Sequence, residues 1–179
     1  MPYSIEEHKH RFAAWAASRA ASVNPNRFPV EIGRKILDNL GIKKFIGKPD
    51  TLPNKQNIDR KHRKWRMKAI TIAKANGYNF SHGIASKLIN IYFKSIFVCG
   101  GHHDHPNVKS LHPPIDSIIL RELRAKNVGG LGNKWRYYQQ EKWSKFDSET
   151  YEELINDIRT IIPPNKGLWT IEEYWRGHQ

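Results

Sequence analysis

The sequence is poor in the residues that build cross-linked or membrane-spanning proteins. Its 179 residues include one cysteine, Cys99, which excludes an internal disulfide and cannot alone ligate an iron–sulfur cluster. No apolar run approaches the roughly 18 residues that a membrane helix needs, because Lys87, Asn90 and Lys94 interrupt the most apolar stretch. The N-terminus also lacks the layout of a signal peptide. We therefore expect an intracellular protein that neither enters a membrane nor carries a cofactor.

Acidic residues are scarce as well, since 30 Lys and Arg face only 17 Asp and Glu and the formal net charge is +13. Such an excess favours a polyanionic partner, because cations that neutralise phosphates release condensed counterions. Ribosomal, membrane-surface and RNA-binding proteins share this excess. The densest basic run spans residues 60–68 and is either a solvated helix face or a phosphate-facing surface. We predict that Arg60, Arg63, Lys64 and Arg66 in this run contact DNA.

The apolar residues predict an all-α fold. They make up 39% of the chain and include six Trp, seven Tyr and seven Phe, enough for a packed core. Nearly every long segment has helical spacing, and no two segments have the alternation of paired strands. We predict a single helical domain over residues 1–179. Helices are expected near residues 4–21, 29–40, 57–75 and 83–98, from Pro114, from about Ser148 to before Pro163, and in a terminal turn that Thr170 caps.

The loop Cys99-Gly-Gly-His-His-Asp-His105, with His112 downstream, contains residue types that ligate zinc. Adjacent histidines rarely reach one ion, however, and no HExxH or CxxC spacing accompanies them. We therefore predict no metal site, and a solvated loop whose histidines contact phosphate or water. A metal-dependent nuclease that uses this loop is the least favoured functional hypothesis.

Two segments carry a pattern that points to chemistry, Phe80-Ser-His-Gly-Ile-Ala-Ser-Lys87 and Leu111-His-Pro-Pro-Ile-Asp116. Gly83 and Ala85 lie where a turn enters a helix, and small residues there allow close backbone approach while free N–H groups bind phosphate. Lys87 lies one turn inside that helix. Asp116 lies at the start of the next helix, where the helix dipole favours a carboxylate. A lysine and an aspartate beside a phosphate clamp suit chemistry at a deoxyribose.

These segments resemble the helix-hairpin-helix (HhH-GPD) DNA glycosylases, whose hairpin reads roughly Leu-Pro-Gly-Val-Gly-x-Lys and is followed by Pro-Val-Asp. Residues 83–87 correspond to Gly-Val-Gly-x-Lys, with Ala85 in place of the second glycine, and residues 114–116 correspond to Pro-Val-Asp. The resemblance implies a two-lobed helical domain with the helix-hairpin-helix element at about residues 70–98. Lys87 and Asp116 are separated by 29 residues, an interval longer than is usual in the family, and the His-rich loop must accommodate the extra length.

The resemblance also implies a function, namely removal of a damaged or modified base by base flipping and cleavage of the N-glycosidic bond. It makes Lys87 the nucleophile that attacks the sugar C1′ and forms a Schiff base, which adds an abasic-site lyase step. Asp116 is then the electrostatic partner and base, and His82, Gly83 and Ala85 contact the DNA backbone. The expected protein is a monomer that acts on double-stranded DNA in the cytoplasm or nucleoid.

Four residues are predicted to line the pocket for the flipped base. Base-processing enzymes stack their target on aromatic rings and bind its edge with polar groups, and we assign Trp15 and Trp143 to the first role and Asn90 and Asp147 to the second. The alternative is that the tryptophans belong to the core, which large aromatic residues commonly fill. A DNA-binding module without catalysis would explain the charge and the helices equally well.

Overall fold

The computed structural model describes residues 3–177, and over that range the chain forms helices and no strand. The prediction of an all-α fold is confirmed. The α-helices are α1 (Ile5–Ala21), α2 (Val30–Leu40), α3 (Ile58–Ala75), α4 (His82–Phe93), α5 (Pro106–Lys109), α6 (Ser117–Ala125), α7 (Gly132–Glu141) and α8 (Ser148–Ile161). A π-helical segment, Lys94–His102, continues α4, and short 3₁₀ segments include Ile42–Phe45, Trp143–Lys145 and Leu168–Tyr174.

Polar side chains set where several helices begin, because they accept hydrogen bonds from N–H groups that have no partner inside the helix. Ser4 accepts from Glu7 at 3.2 Å before α1, and Asp147 accepts from Thr150 at 2.8 Å before α8. Asp116 accepts from Ile119 at 2.9 Å. The sixth helix therefore begins after this aspartate, not at Pro114 as its sequence position suggested.

Helix α4 lies at the centre of the molecule and is buried on almost every side, as expected of a helix that is apolar around its whole circumference. It packs against α1 and α3, and it also approaches α8. Small residues of α1, among them Ala13 and Ala17, are fully buried and let the two helices come close. The buried apolar residues form one continuous cluster from α1 to the last 3₁₀ segment.

Three segments differ from the sequence prediction. The stretch predicted as a loop after Cys99 contains the end of the π-helical segment and all of α5. Helix α7 was not predicted, because its ten residues bury only Trp135 and Tyr138 and give little apolar periodicity. The terminal 3₁₀ segment begins at Leu168, so Thr170 lies inside it and does not cap it.

Within the described part of the chain, no helix has both the length and the apolar character needed to cross a bilayer.

Candidate active site

The fold brings Lys87 and Asp116 into direct contact. The Nζ atom of Lys87, one turn into α4, donates to Oδ2 of Asp116 at 2.9 Å, while Oδ1 of the same carboxylate accepts from the Ile119 N–H. The two side chains are only 6% and 19% exposed. The sequence therefore placed both residues in one site, and the capping role of Asp116 fixes its carboxylate toward α4.

Burial and charge act against each other in this pair. Burial lowers the pKa of Lys87, and the Asp116 carboxylate only partly opposes that shift. For Asp116, burial raises the pKa, but the Lys87 ammonium, the Ile119 N–H and the Trp175 indole together outweigh it, and the net pKa is lowered. A lysine with a lowered pKa is closer to the neutral amine that a nucleophile must be, and an ionised carboxylate beside it can accept a proton.

Three further groups complete the site, and none was predicted to lie there. The Trp175 indole N–H donates to Oδ2 of Asp116 at 3.0 Å. Lys94, two turns after Lys87, forms an ion pair with Glu172, whose carboxyl has a raised pKa because it is buried. Glu172 and Trp175 come from the C-terminal segment, where Thr170-Ile-Glu-Glu173 had indicated only a helix cap. The motif carried no signal that the Glu172 carboxylate would lie against Lys94.

Trp143 lies beside the pair, with its ring centroid 5.5 Å from the Lys87 Nζ atom. It is 9% exposed, so one face of the lysine is covered by a cation–π contact. Trp143 therefore belongs to the core and also contacts Lys87, and its role in a base pocket stays a prediction.

The predicted phosphate clamp at the start of α4 is wrong for Gly83 and Ala85. Both residues are buried, and the Gly83 N–H donates to the Phe146 carbonyl oxygen at 3.2 Å. A Cβ atom at Gly83 would lie 1.7 Å from the Trp143 carbonyl oxygen. Gly83 is thus required because the backbone of residues 143–146 approaches it closely. That backbone lies where the sequence prediction had placed a DNA phosphate. His82, the remaining residue of that prediction, is half-buried, and its contact with the DNA backbone stays a prediction.

Asn90 does not line a pocket either, because it lies in a buried polar network. Its side-chain oxygen accepts from His62 at 2.8 Å, and its amide nitrogen donates to the Pro113 carbonyl at 2.9 Å and to the Tyr151 hydroxyl at 3.0 Å. The Tyr151 hydroxyl in turn contacts His112 at 3.0 Å. Every hydrogen-bonding atom of the Asn90 side chain is therefore engaged in holding α4, α3 and α8 together.

Two other residues assigned to the pocket lie at the surface. Trp15 is 52% exposed, and its ring neighbour is Phe12 at 6.1 Å. The alanines of α1 occupy the face that packs on α4, so the tryptophan is turned away from Lys87. Asp147 is exposed and caps α8. Both assignments to the base pocket are corrected.

The basic run of α3 divides between two environments. Glu152 of α8 binds Arg63 and also binds Arg66, whose Nη2 atom lies 2.6 Å from the Glu152 Oε1 atom. Arg66 is fully buried and stacks on the Tyr151 ring at 4.4 Å, so its assignment to a DNA-contacting surface is wrong. Arg63 is exposed but already paired. Arg60 and Lys64 are exposed, and their contact with DNA stays a prediction.

The histidines of the His-rich loop do not gather around one point. His105 contacts Asp50 at 2.9 Å, and His112 is buried against Asp59 at 2.8 Å, while Cys99 is exposed. Across residues 3–177, no three His, Cys, Asp or Glu side chains come together in a way that could hold a metal ion. The hypothesis of a metal-dependent nuclease thus has no cluster of ligands among these residues to rest on.

The site is therefore a closed lysine–aspartate pair on an all-helical scaffold, flanked by two tryptophans and a second, lysine-paired carboxylate. Comparison of the chain with protein-family models, with curated proteins and with solved structures found no match.

Proposed function

We propose that this protein is a DNA glycosylase that excises a damaged or modified base and forms a Schiff base through Lys87. The observation that carries the proposal is the 2.9 Å contact between the Lys87 Nζ atom and the Asp116 carboxylate, together with the lowered pKa that burial gives the lysine. The two-lobed arrangement with a helix-hairpin-helix element, double-stranded DNA as substrate and action as a monomer in the cytoplasm or nucleoid belong to the same proposal.

The proposed chemistry uses the pair as nucleophile and base. The neutral Lys87 amine bonds to C1′ of the flipped nucleotide while the C1′–N glycosidic bond breaks, and the base leaves with the bonding electrons. Asp116 takes one proton from the Lys87 ammonium and gives it to the departing base, and it then takes the proton that the new C–N bond makes acidic and gives it to O4′. When the C1′–O4′ bond then opens, the lysine is left joined to C1′ as an imine.

The surroundings of the pair indicate how the reacting nucleotide would be held. Trp143 covers one side of the Lys87 amine, and Trp175 covers the Asp116 carboxylate. A flipped base needs apolar faces for stacking, and these two indoles would supply them. Because the pair is largely enclosed, entry of the nucleotide requires the Trp175 indole to give up its hydrogen bond to Asp116.

Trapping with borohydride tests the proposal, since the reagent reduces an imine to a stable amine. Duplexes that each carry one of a panel of damaged or modified bases, and a duplex with an abasic site, should give a covalent adduct with the wild-type protein. Lys87→Met should abolish the adduct. Lys109→Met is the control, because it removes a half-buried lysine that lies in α5 outside the site and pairs with Asp104 at 3.7 Å, and it should leave the adduct in place. An adduct that survives Lys87→Met, or no base release from any duplex, contradicts the proposal.

A DNA-binding module without catalysis is the second candidate, and a specific observation favours it. The Lys87 amine is already neutralised by a buried partner, and the Gly83 N–H is occupied by protein, as in a purely structural ion pair. This candidate predicts duplex affinity that survives Asp116→Asn in a correctly folded variant. It also predicts that no base is released from any lesion-bearing duplex.

A further inference from the structure

A basic cleft of about 430 Å³ lies between the 3₁₀ segment at Ile42–Phe45 and the first half of α3. Its walls are formed by Lys44, Phe45, Thr51, Pro53, Asn57, Arg60, Lys61 and Lys64. We call it the Lys44–Lys64 cleft. Half of its lining residues are cations, and none is an aspartate or a glutamate.

The four cations of the cleft also lack carboxylate partners elsewhere in the described structure. No ion pair links Lys44, Arg60, Lys61 or Lys64 to an acidic side chain within residues 3–177. Arg60 hydrogen-bonds only to the neutral Asn57 amide oxygen at 2.9 Å. Cations next to them in the sequence do have carboxylate partners, since Lys43 pairs with Glu7 at 2.5 Å and Arg63 pairs with Glu152.

Helical geometry explains this separation. With about 3.6 residues per turn, Arg60, Lys61 and Lys64 lie on one side of α3. Arg63 and Arg66 lie on the side that faces Glu152 of α8. One side of the basic run is therefore paired with Glu152, and the cations on the other side have no carboxylate partner within residues 3–177. These unpaired cations face Lys44, which comes from another segment, across a concave surface.

We propose that the Lys44–Lys64 cleft binds the sugar–phosphate backbone of a nucleic acid. Four cations held around one concavity repel one another, and a chain of phosphates relieves that repulsion while releasing its own counterions. Pro53, which is partly exposed, adds apolar lining that suits the face of a sugar. The proposal takes its nucleic-acid partner from the proposed function, but it requires no reaction at Lys87 and replaces the buried hairpin as the site of backbone contact.

The salt dependence of binding tests this proposal directly. Lys44→Gln/Lys61→Gln/Lys64→Gln removes three charges from exposed positions, and a short fluorescent duplex reports affinity by anisotropy at several potassium chloride concentrations. If each lysine meets one phosphate, the slope of log K against log salt becomes shallower by about 2.7. The affinity lost between 50 and 200 mM salt then shrinks by about 40-fold. A single-stranded oligonucleotide, measured in parallel, distinguishes the two forms of nucleic acid.

The matched control removes the same charge elsewhere. Arg34, Lys74 and Arg136 are exposed and form no ion pair with a carboxylate of residues 3–177. Their triple replacement by Gln should leave the slope close to that of the wild-type protein, and urea midpoints should show that both variants are folded. Equal slopes and affinities for the two triple variants would overturn the proposal. Lysine-dependent binding to phosphatidylserine vesicles, with no binding to either oligonucleotide, would also overturn it by assigning the cleft to a membrane surface.

These experiments test the proposed catalysis and the proposed cleft independently of each other. Lys87→Met should retain the wild-type salt slope, because the buried amine does not line the cleft. Loss of borohydride trapping with normal duplex binding would count against the proposed function alone. Normal trapping with an unchanged slope in the cleft variant would count against the cleft alone.

Discussion

Replacing Asp116 by asparagine separates the two things that its carboxylate does. One oxygen caps α6 through the Ile119 N–H at 2.9 Å, and the other accepts from Lys87 at 2.9 Å. Asparagine caps a helix about as well as aspartate does, so Asp116→Asn keeps the cap and removes the negative charge. The loss of unfolding free energy in this variant therefore measures the effect of breaking the buried Lys87–Asp116 ion pair.

The expected size of that loss follows from burial. Breaking a buried pair by removing one partner costs about 3–5 kcal/mol, and because Asp116 keeps 19% of its side chain exposed we expect about 3 kcal/mol. The loss of unfolding free energy also has an upper limit, because the unpaired Lys87 can give up its proton and become neutral. Neutralising a lysine at pH 7 costs about 4.6 kcal/mol relative to the unfolded chain, at about 1.36 kcal/mol per pH unit.

Urea unfolding followed by tryptophan fluorescence measures this effect, with Asp147→Asn as the matched control. Asp147 also caps a helix, through the Thr150 N–H at 2.8 Å, but it is exposed and forms no ion pair with a lysine of residues 3–177. The control should lose less than about 1 kcal/mol. Asp116→Asn should regain stability between pH 7 and pH 9, because the unfolded lysine binds more protons than the buried, unpartnered one. Equal losses in the two variants at pH 7, with no recovery at pH 9, would refute the buried ion pair.

Two further predictions concern the scaffold. Gly83→Ala places a Cβ atom 1.7 Å from the Trp143 carbonyl oxygen. The clash also weakens the hydrogen bond from the Gly83 N–H to the Phe146 carbonyl oxygen, and the two effects together should lower the unfolding free energy by about 2–4 kcal/mol. Gly100→Ala is the control, because its nearest new contact is at 3.8 Å, and similar stability of the two variants would contradict the close approach. Burial lowers the pKa of both His62 and His112, so the unfolded state binds their protons first. Stability should therefore fall as the pH drops below about 6.5, by up to about 1.4 kcal/mol per unit for each histidine; an unfolding free energy that is constant from pH 7.5 to pH 5.5 would contradict this.

The sequence predicted helices best where a polar cap precedes an apolar stripe. Helix α8 has both, because Asp147 caps it and Tyr151, Leu154 and Ile158 are buried as expected. Helix α7 has neither signal. It begins without a side-chain cap and depends on Trp135, whose indole N–H donates to the Val128 carbonyl at 2.8 Å. That hydrogen bond forms only when the preceding turn has folded, so the residues of α7 do not by themselves predict a helix.

The candidate site was predictable only where its residues carry local signals. Lys87 and Asp116 each stand near the start of a helix, and that position pointed to them. The long interval between them is taken up by the π-helical segment Lys94–His102 and by α5, after which the chain returns to α4. Glu172 and Trp175 join the pair from the far end of the chain, and nothing in their own neighbourhood indicates that they do.

The basic run of α3 illustrates why charge counted along a chain is an incomplete guide to partners. The sequence groups Arg60, Arg63, Lys64 and Arg66 together, whereas the fold separates them by helical face. Glu152, 86 residues beyond Arg66, neutralises one side, and Lys44 from an earlier segment reinforces the other. A polyanion responds to the charge that remains after such internal pairing. The contact surface that we propose for a nucleic acid is therefore the Lys44–Lys64 cleft and not the run as a whole.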